Sequence, residues 1–167
     1  ANLSYQRYHL KNWFKSYYGF ETGVTNDLSL GVTLSRNSID NPIYTRLGSS
    51  LSLSVAATFP YSLLAKDVDY ESMTLAERSK WIEYHKWKFK LRTYIALSNA
   101  VKCPVLMARV ELGLLGAYNK HKKSPFETYY VGGDGMSGYS TTYATETIAL
   151  RGYDNGALTP NGYTGYA

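Results

Sequence analysis

The residues with the most chemical potential gather in one stretch, PFETYYVGGDGMSGYSTTYATETIALRGY, which covers 125–153. At its end Leu150, Arg151, Gly152 and Tyr153 set an arginine against a glycine. Two readings follow. Arg151 is an ordinary surface arginine, or it sits on a sharp turn and aims into a polar interior where carboxylates hold it. Further back, Gly133-Asp134-Gly135-Met136-Ser137-Gly138 fits G-x-G-x-x-G. A dinucleotide site needs a helix next, inside a βαβ unit. The residues that follow, Tyr-Ser-Thr-Thr-Tyr-Ala-Thr, favour extended chain instead. The glycines then read as a turn that lets backbones approach closely. So long a stretch is not a passive connector, and its aromatic and β-branched content argues against disorder.

Other reactive side chains are sparse. Glu83, Glu111, Glu127 and Glu146 could serve hydrolysis only as a pair across a cleft. No spacing arranges two of them so, and unpaired surface carboxylates are expected; the chain does not read as an enzyme. The single cysteine, Cys103, excludes an intrachain disulfide and a cysteine-based zinc site. His9, His85 and His121 have no metal-ligand spacing and are expected on the surface or lining a lumen. No metal and no cofactor is expected. The net charge of +5 is not gathered into blocks, so no nucleic-acid footprint is indicated.

The elements that must carry the glycine-rich stretch are read from periodicity. The 167 residues suit one domain. No apolar run approaches the ~20 residues of a membrane helix, and no signal peptide is visible. The seventeen tyrosines suit a surface that is apolar at one end and wet at the other. Strands are expected over 2–11, 27–36, 49–59, 86–98 and 104–118. The alternation is clearest in Leu28, Leu30, Val32 and Leu34, and in Leu51, Leu53, Val55 and Ala57. In the fourth strand Trp87, Phe89 and Leu91 point one way and Lys88, Lys90 and Arg92 the other. In the fifth, Val110 and Leu112 oppose Arg109 and Glu111. Thr25-Asn26-Asp27 could be a tight turn. Thr74-Leu75-Ala76-Glu77 matches a capping box and predicts a short helix over 75–83, within a loop over 61–85.

Lengths and connections decide the class. Strands of this length exceed the usual five or six residues of globular sheets and match the roughly nine to eleven needed to cross a bilayer at a tilt. Connections alternate between short (37–48, 99–102) and long (61–84, 119–162), the plan of a transmembrane antiparallel β-barrel. A barrel closes because every backbone N–H and C=O needs a protein partner in hydrocarbon. Five strands cannot close one, since about eight is the minimum; the expectation is a part of a longer polypeptide. A soluble tyrosine-rich β-sandwich that binds glycans, such as an adhesin, has the same alternation. The cations and Glu111 on the polar positions either form ion pairs across neighbouring strands or steer a client segment or lipid headgroup.

Several motifs together carry a resemblance. SRNSIDNPIYTRLGSSLSLSV resembles a periplasmic turn and following strand of the outer-membrane protein assembly factors, the BamA family of the barrel insertase superfamily. PFETYYVGGDGMSGY, with Pro125, Phe126, Tyr130, Gly132 and Gly133, is similar to that family's P-F-x-x-[FY]-[FY]-x-G-G motif. Leu150-Arg151-Gly152-Tyr153 is similar to its V-R-G-[FY] motif. Trp81-Ile82-Glu83-Tyr84-His85-Lys86-Trp87 and the GGDGMSGY insert look most like the Bacteroidetes branch. The resemblance implies about the seventh to eleventh strands of a barrel of about sixteen in the outer membrane. It implies that the 119–162 loop enters the lumen, that Arg151 meets carboxylates on later strands, and that Lys88, Lys90, Arg92, Arg109 and Glu111 face the lumen. Trp87, Phe89, Leu91, Val110 and Leu112 would face lipid. Its implied partners are nascent outer-membrane proteins, accessory lipoproteins of the assembly complex, outer-membrane lipids and lipopolysaccharide. Its implied activity is barrel insertion without covalent chemistry or cofactor; a related translocation or secretion pore is the alternative.

Overall fold

The computed structural model describes residues 1–12, 19–65, 68–100, 102–124, 126–133, 146–154 and 157–158. Five long strands form one sheet in chain order: β1 (Asn2–Leu10), β2 (Gly23–Asn37), β3 (Gly48–Thr58), β4 (His85–Ala96) and β5 (Val105–Gly116). Every neighbouring pair is antiparallel, and the sheet is not closed. Two four-residue helices, α1 (Tyr61–Leu64) and α2 (Leu75–Arg78), lie between β3 and β4. A small parallel pair follows β5: β6 (Tyr129–Val131) and β7 (Glu146–Ile148). The chain is therefore mostly β, almost without helix.

Register turns the sequence alternation into two continuous faces. Leu3 lies opposite Leu30, Leu30 opposite Ala57, and Val32 and Leu34 opposite Val55 and Leu53. Val55, Leu53 and Leu51 lie opposite Trp87, Phe89 and Leu91, which lie opposite Leu114, Leu112 and Val110. Successive side chains of a strand point to opposite faces, so these residues form one apolar belt across the whole sheet. The belt is bare: Leu34 is 63% exposed and Leu112 60%. An uncovered apolar surface of this extent marks contact with another apolar phase.

The opposite face carries Ser4, Gln6, Ser29, Thr33, Ser52, Ser54, Lys88, Lys90, Arg92 and Arg109. Two of its apolar members, Leu10 and Leu115, sit at the strand ends that lead into the long connections. The buried cluster lies there, made by Leu10, Phe20, Ile82, Tyr84, Leu115, Phe126 and Tyr129. Tyr8 stacks on Phe126 with centroids 4.8 Å apart and planes 14° apart. The core thus lies between the loops and the polar face, while the apolar face stays uncovered.

Three local expectations are corrected. Thr25-Asn26-Asp27 is not a turn; it belongs to β2, which starts at Gly23 rather than at 27, with Thr25 opposite Tyr8 and Asp27 opposite Gln6. Beyond the end of β3, residues 80–82 take the place of a neighbouring strand: the Asn26 N–H donates to the Lys80 carbonyl at 2.9 Å, and the Ile82 N–H donates to the Asn26 carbonyl at 3.0 Å. The same capture shortens α2, expected over 75–83, to Leu75–Arg78. Only Leu75 and Ala76 of the helix pack on the core, too thin a stripe to hold a longer one. Third, Glu83, Glu127 and Glu146 are not unpaired surface carboxylates. Glu83 is fully buried, Glu127 is buried, and all three hold lysines.

Candidate functional site

The site is the meeting of residues 126–133 and 146–153 with the polar face of β4. Alternation from His85 places Lys86, Lys88, Lys90 and Arg92 on that face. Glu127 comes just before β6 and Glu146 opens β7. One ammonium reaches both: Lys86 Nζ lies 2.7 Å from Glu127 Oε2 and 2.8 Å from Glu146 Oε1. Lys88 pairs with the other oxygen of Glu146. Lys86 Nζ also sits 5.6 Å from the centroid of the Tyr129 ring, within cation–π range. Burial raises the Glu127 carboxyl above its usual range despite Lys86. Burial pushes Glu146 the same way, but the hydrogen bonds and charges of Lys86 and Lys88 together outweigh it and hold that carboxyl below the usual range.

The two glycine-bearing motifs are stitched to each other. Tyr129, Tyr130 and Val131 pair in parallel with Glu146, Thr147 and Ile148. The Gly132 N–H donates to the Ile148 carbonyl at 3.0 Å. The Leu150 N–H donates to the Gly133 carbonyl and the Gly133 N–H to the Tyr153 carbonyl, both at 2.8 Å. Gly133 has φ +92° and Gly152 φ +89°, the left-handed region that side chains disfavour. So Tyr130-Val131-Gly132-Gly133 and Leu150-Arg151-Gly152-Tyr153, far apart in sequence, form one backbone unit.

The remaining residues singled out in the sequence fall as follows. Phe126 is 1% exposed and anchors the unit in the core; Pro125 lies outside the described residues. Gly132 and Gly133 are buried, whereas Leu150, Arg151, Gly152 and Tyr153 are exposed. Among the described residues no carboxylate pairs with Arg151. Lys90 and Arg92 are exposed, and Arg92 lies directly opposite Arg109. Arg109 Nη2 pairs with Glu111 Oε1 at 2.6 Å within the same strand. The ion pairs of these residues thus run to the loop or along β5, not across from β4 to β5. Trp87, Val110 and Leu112 are exposed, and Phe89 and Leu91 are half-buried on the apolar face.

Lys86 is the residue that sequence reasoning missed, and with it the pairing of Glu127 and Glu146. The available signal was Lys86 continuing the set Lys88, Lys90 and Arg92 by one period. A second buried pair holds the long loops. Lys122 Nζ bonds Glu83 Oε1 at 2.7 Å, and the Ser62 N–H donates to the same oxygen at 2.7 Å. Clefts of about 280 Å³ and about 400 Å³ lie between loop and sheet. The first is lined by Ser29, Thr33, Ser54, Lys86 and Glu127, the second by Lys90, Arg109, Glu111 and Tyr129. Among the described residues no cluster of His, Cys, Asp or Glu could hold a metal ion. The charges of the site neutralise one another, which suits fastening a loop rather than transferring a proton or a group.

A sheet bare on its apolar face, with a loop fastened to its polar face, is the construction of an outer-membrane β-barrel wall. The chain belongs to the Omp85 superfamily: it matches the Omp85 superfamily domain over residues 1–166. No curated protein and no solved structure matches it. The superfamily is an outer-membrane one, associated with insertion and translocation of outer-membrane proteins, and its members are non-enzymatic.

Proposed function

We propose that this chain is a central part of the barrel of a BamA-type assembly factor of Bacteroidetes type, which folds and inserts nascent outer-membrane proteins. The observation that carries the reading is the contrast of faces: a bare apolar belt across five strands, and a polar face bearing the stitched Gly133–Tyr153 unit. Trp87, Phe89, Leu91, Val110 and Leu112 face acyl chains. Lys88, Lys90, Arg92, Arg109 and Glu111 face the lumen. Arg151 at the exposed tip braces carboxylates on strands outside 1–167. The partners are nascent outer-membrane proteins, accessory lipoproteins, and lipids including lipopolysaccharide.

The mechanism follows from backbone chemistry. A nascent barrel carries unpaired strand edges, which are costly in hydrocarbon. A weakly closed seam elsewhere in the barrel pairs with those edges by strand addition. The Arg151 loop stiffens the wall so that only the seam yields. The test is Arg151→Ala in the full-length protein, followed by the heat-modifiable mobility of the barrel and the amount of folded client barrels. A loss of folded clients across many kinds is expected. Unchanged mobility and client load would refute the bracing role. Loss of one translocated substrate with client barrels intact would instead identify a translocation pore.

A further inference from the structure

Phe126, Glu127 and Tyr129 form one arm of the stitched unit, and Glu146 and Ile148 form the other. The backbone bonds of β6 and β7 described above run between the arms. The unit reaches the wall through Lys86 and Lys88, through the stacking of Phe126 on Tyr8, and through the packing of Phe126 and Tyr129 in the cluster that holds Leu10 and Leu115. Lys86 is the only described cation that touches both arms. Its ammonium is largely shielded, at 11% side-chain exposure, as is Glu127 at 10%. Shielded charges of this kind are tolerated only as a set: removing one partner strands the others. Without Lys86, two carboxylates at close range are left with Lys88 alone, and the two arms repel.

We infer that Lys86 is the positioning residue that seats residues 126–133 and 146–153 on the wall, and that its loss frees these two arms and opens the lumen without unfolding the barrel. The opening of a lumen rests on the barrel reading above; the seating does not. Arg151 at the exposed tip and Lys86 at the base then have separate tasks. The tip braces distant strands, and the base fixes where the tip can reach. The cleft of about 280 Å³ beside Lys86 gives the freed arm room to move.

The experiment uses the full-length protein carrying Cys103→Ser and Thr128→Cys. Thr128 is 6% exposed, so a thiol there is shielded while the unit is seated. Maleimide labelling is timed in detergent, and conductance is recorded in planar bilayers. Lys86→Met is expected to speed labelling by about tenfold, the equivalent of ~1.4 kcal/mol, and to raise the open fraction. Its heat-modifiable mobility stays that of the parent. Lys86→Arg keeps the charge and returns both readouts toward the parent. Labelling and conductance unchanged in Lys86→Met overturn the inference, as does Lys86→Arg as open as Lys86→Met. If Lys86→Met does not form a heat-modifiable barrel, Glu146→Gln decides, because it releases one arm while Lys86 and Glu127 stay paired. Faster labelling supports the clamp, and an unchanged rate overturns it. Both readouts use purified protein without clients, so a failure of the assembly reading would show separately, as client folding that does not depend on the protein.

Discussion

The two faces of the sheet are built on different principles. The apolar face is repetitive and has no individual anchors: Leu34, Leu53, Phe89 and Leu112 are neighbours in one row and interchangeable in chemistry. The polar face depends on single pairs. Glu83 with Lys122, and Lys86 with Glu127 and Glu146, each join segments about forty residues or more apart in sequence. The belt is therefore tolerant of substitution within its class and intolerant of charge. The loop side is intolerant of losing one partner, whatever replaces it. Covering is the physical reason for the difference: the loops seal one end of the polar face from solvent, and no described residue covers the apolar face.

The largest effect is expected on the sealed side. Lys122→Met leaves Glu83, fully buried, without its cation. Stranding a buried charge costs about 3–5 kcal/mol. The Ser62 N–H remains as a donor to Glu83, and Lys122 also lies 5.8 Å and 5.2 Å from the Tyr61 and Tyr70 rings, so packing changes as well. Urea unfolding of the full-length protein in detergent measures it. A loss below about 0.5 kcal/mol, the scale of ordinary surface substitutions, would mean that the pair is not sealed, and the contrast between the faces would weaken.

A smaller effect tests the open side. Leu53→Arg puts a cation in the middle of the belt, where β3 lies between Leu34 and Phe89. On a lipid-facing row this costs about 2–4 kcal/mol near the bilayer midplane. Its neighbour in sequence, Ser52→Arg, points to the polar face and should change stability by about 0.5 kcal/mol or less. Folding titrations into lipid vesicles compare the two. Equal costs at 52 and 53 would end the claim that one face meets acyl chains.

The same contrast explains what could be read from sequence. The antiparallel all-β class was legible because the belt repeats with period two and needs no partner to reveal it. Leu28, Leu30, Val32 and Leu34 suffice to identify a strand. The early part of β2 was hidden because its buried members there, Thr25 and Asp27, are polar, and the partners of this part of the strand, Lys80 and Ile82 for Asn26 and Tyr84 for Asp27, come from a distant segment. The carboxylates were misread for a related reason. Nothing local to Glu127 or Glu146 points to Lys86, and the pairing exists only once β4 and the loop are placed together. The parallel match of Tyr129–Val131 with Glu146–Ile148 is three residues long and gives no periodic signal. The YYVGG and LRGY motifs were singled out through resemblance, and the backbone bonds that join them had no visible signal in the sequence.

The smallest effect belongs to an exposed part of the loop side and shows that sealing, not location, sets the cost. Thr74 caps α2: its hydroxyl accepts from the Glu77 N–H at 3.4 Å, while Glu77 Oε2 accepts from the Thr74 N–H at 3.0 Å and from the Thr74 hydroxyl at 2.7 Å. Those hydrogen bonds, first the hydroxyl and then the backbone N–H, hold the Glu77 carboxyl below its usual range. A depressed folded pKa means that the stabilisation is complete above the usual carboxylate range and is lost as pH falls through the lowered value. Thr74→Ala removes the cap at a cost of about 1 kcal/mol, near fivefold in local opening. Hydrogen-exchange protection of the 75–79 amides should fall by that factor at neutral pH. The difference between parent and variant should narrow in acid, as Glu77 becomes protonated in both. Global unfolding should be unchanged, because α2 places only Leu75 and Ala76 against the core. A global loss as large as that of Lys122→Met would show that the exposed cap is as costly to lose as the sealed pair, and burial would no longer account for the ranking.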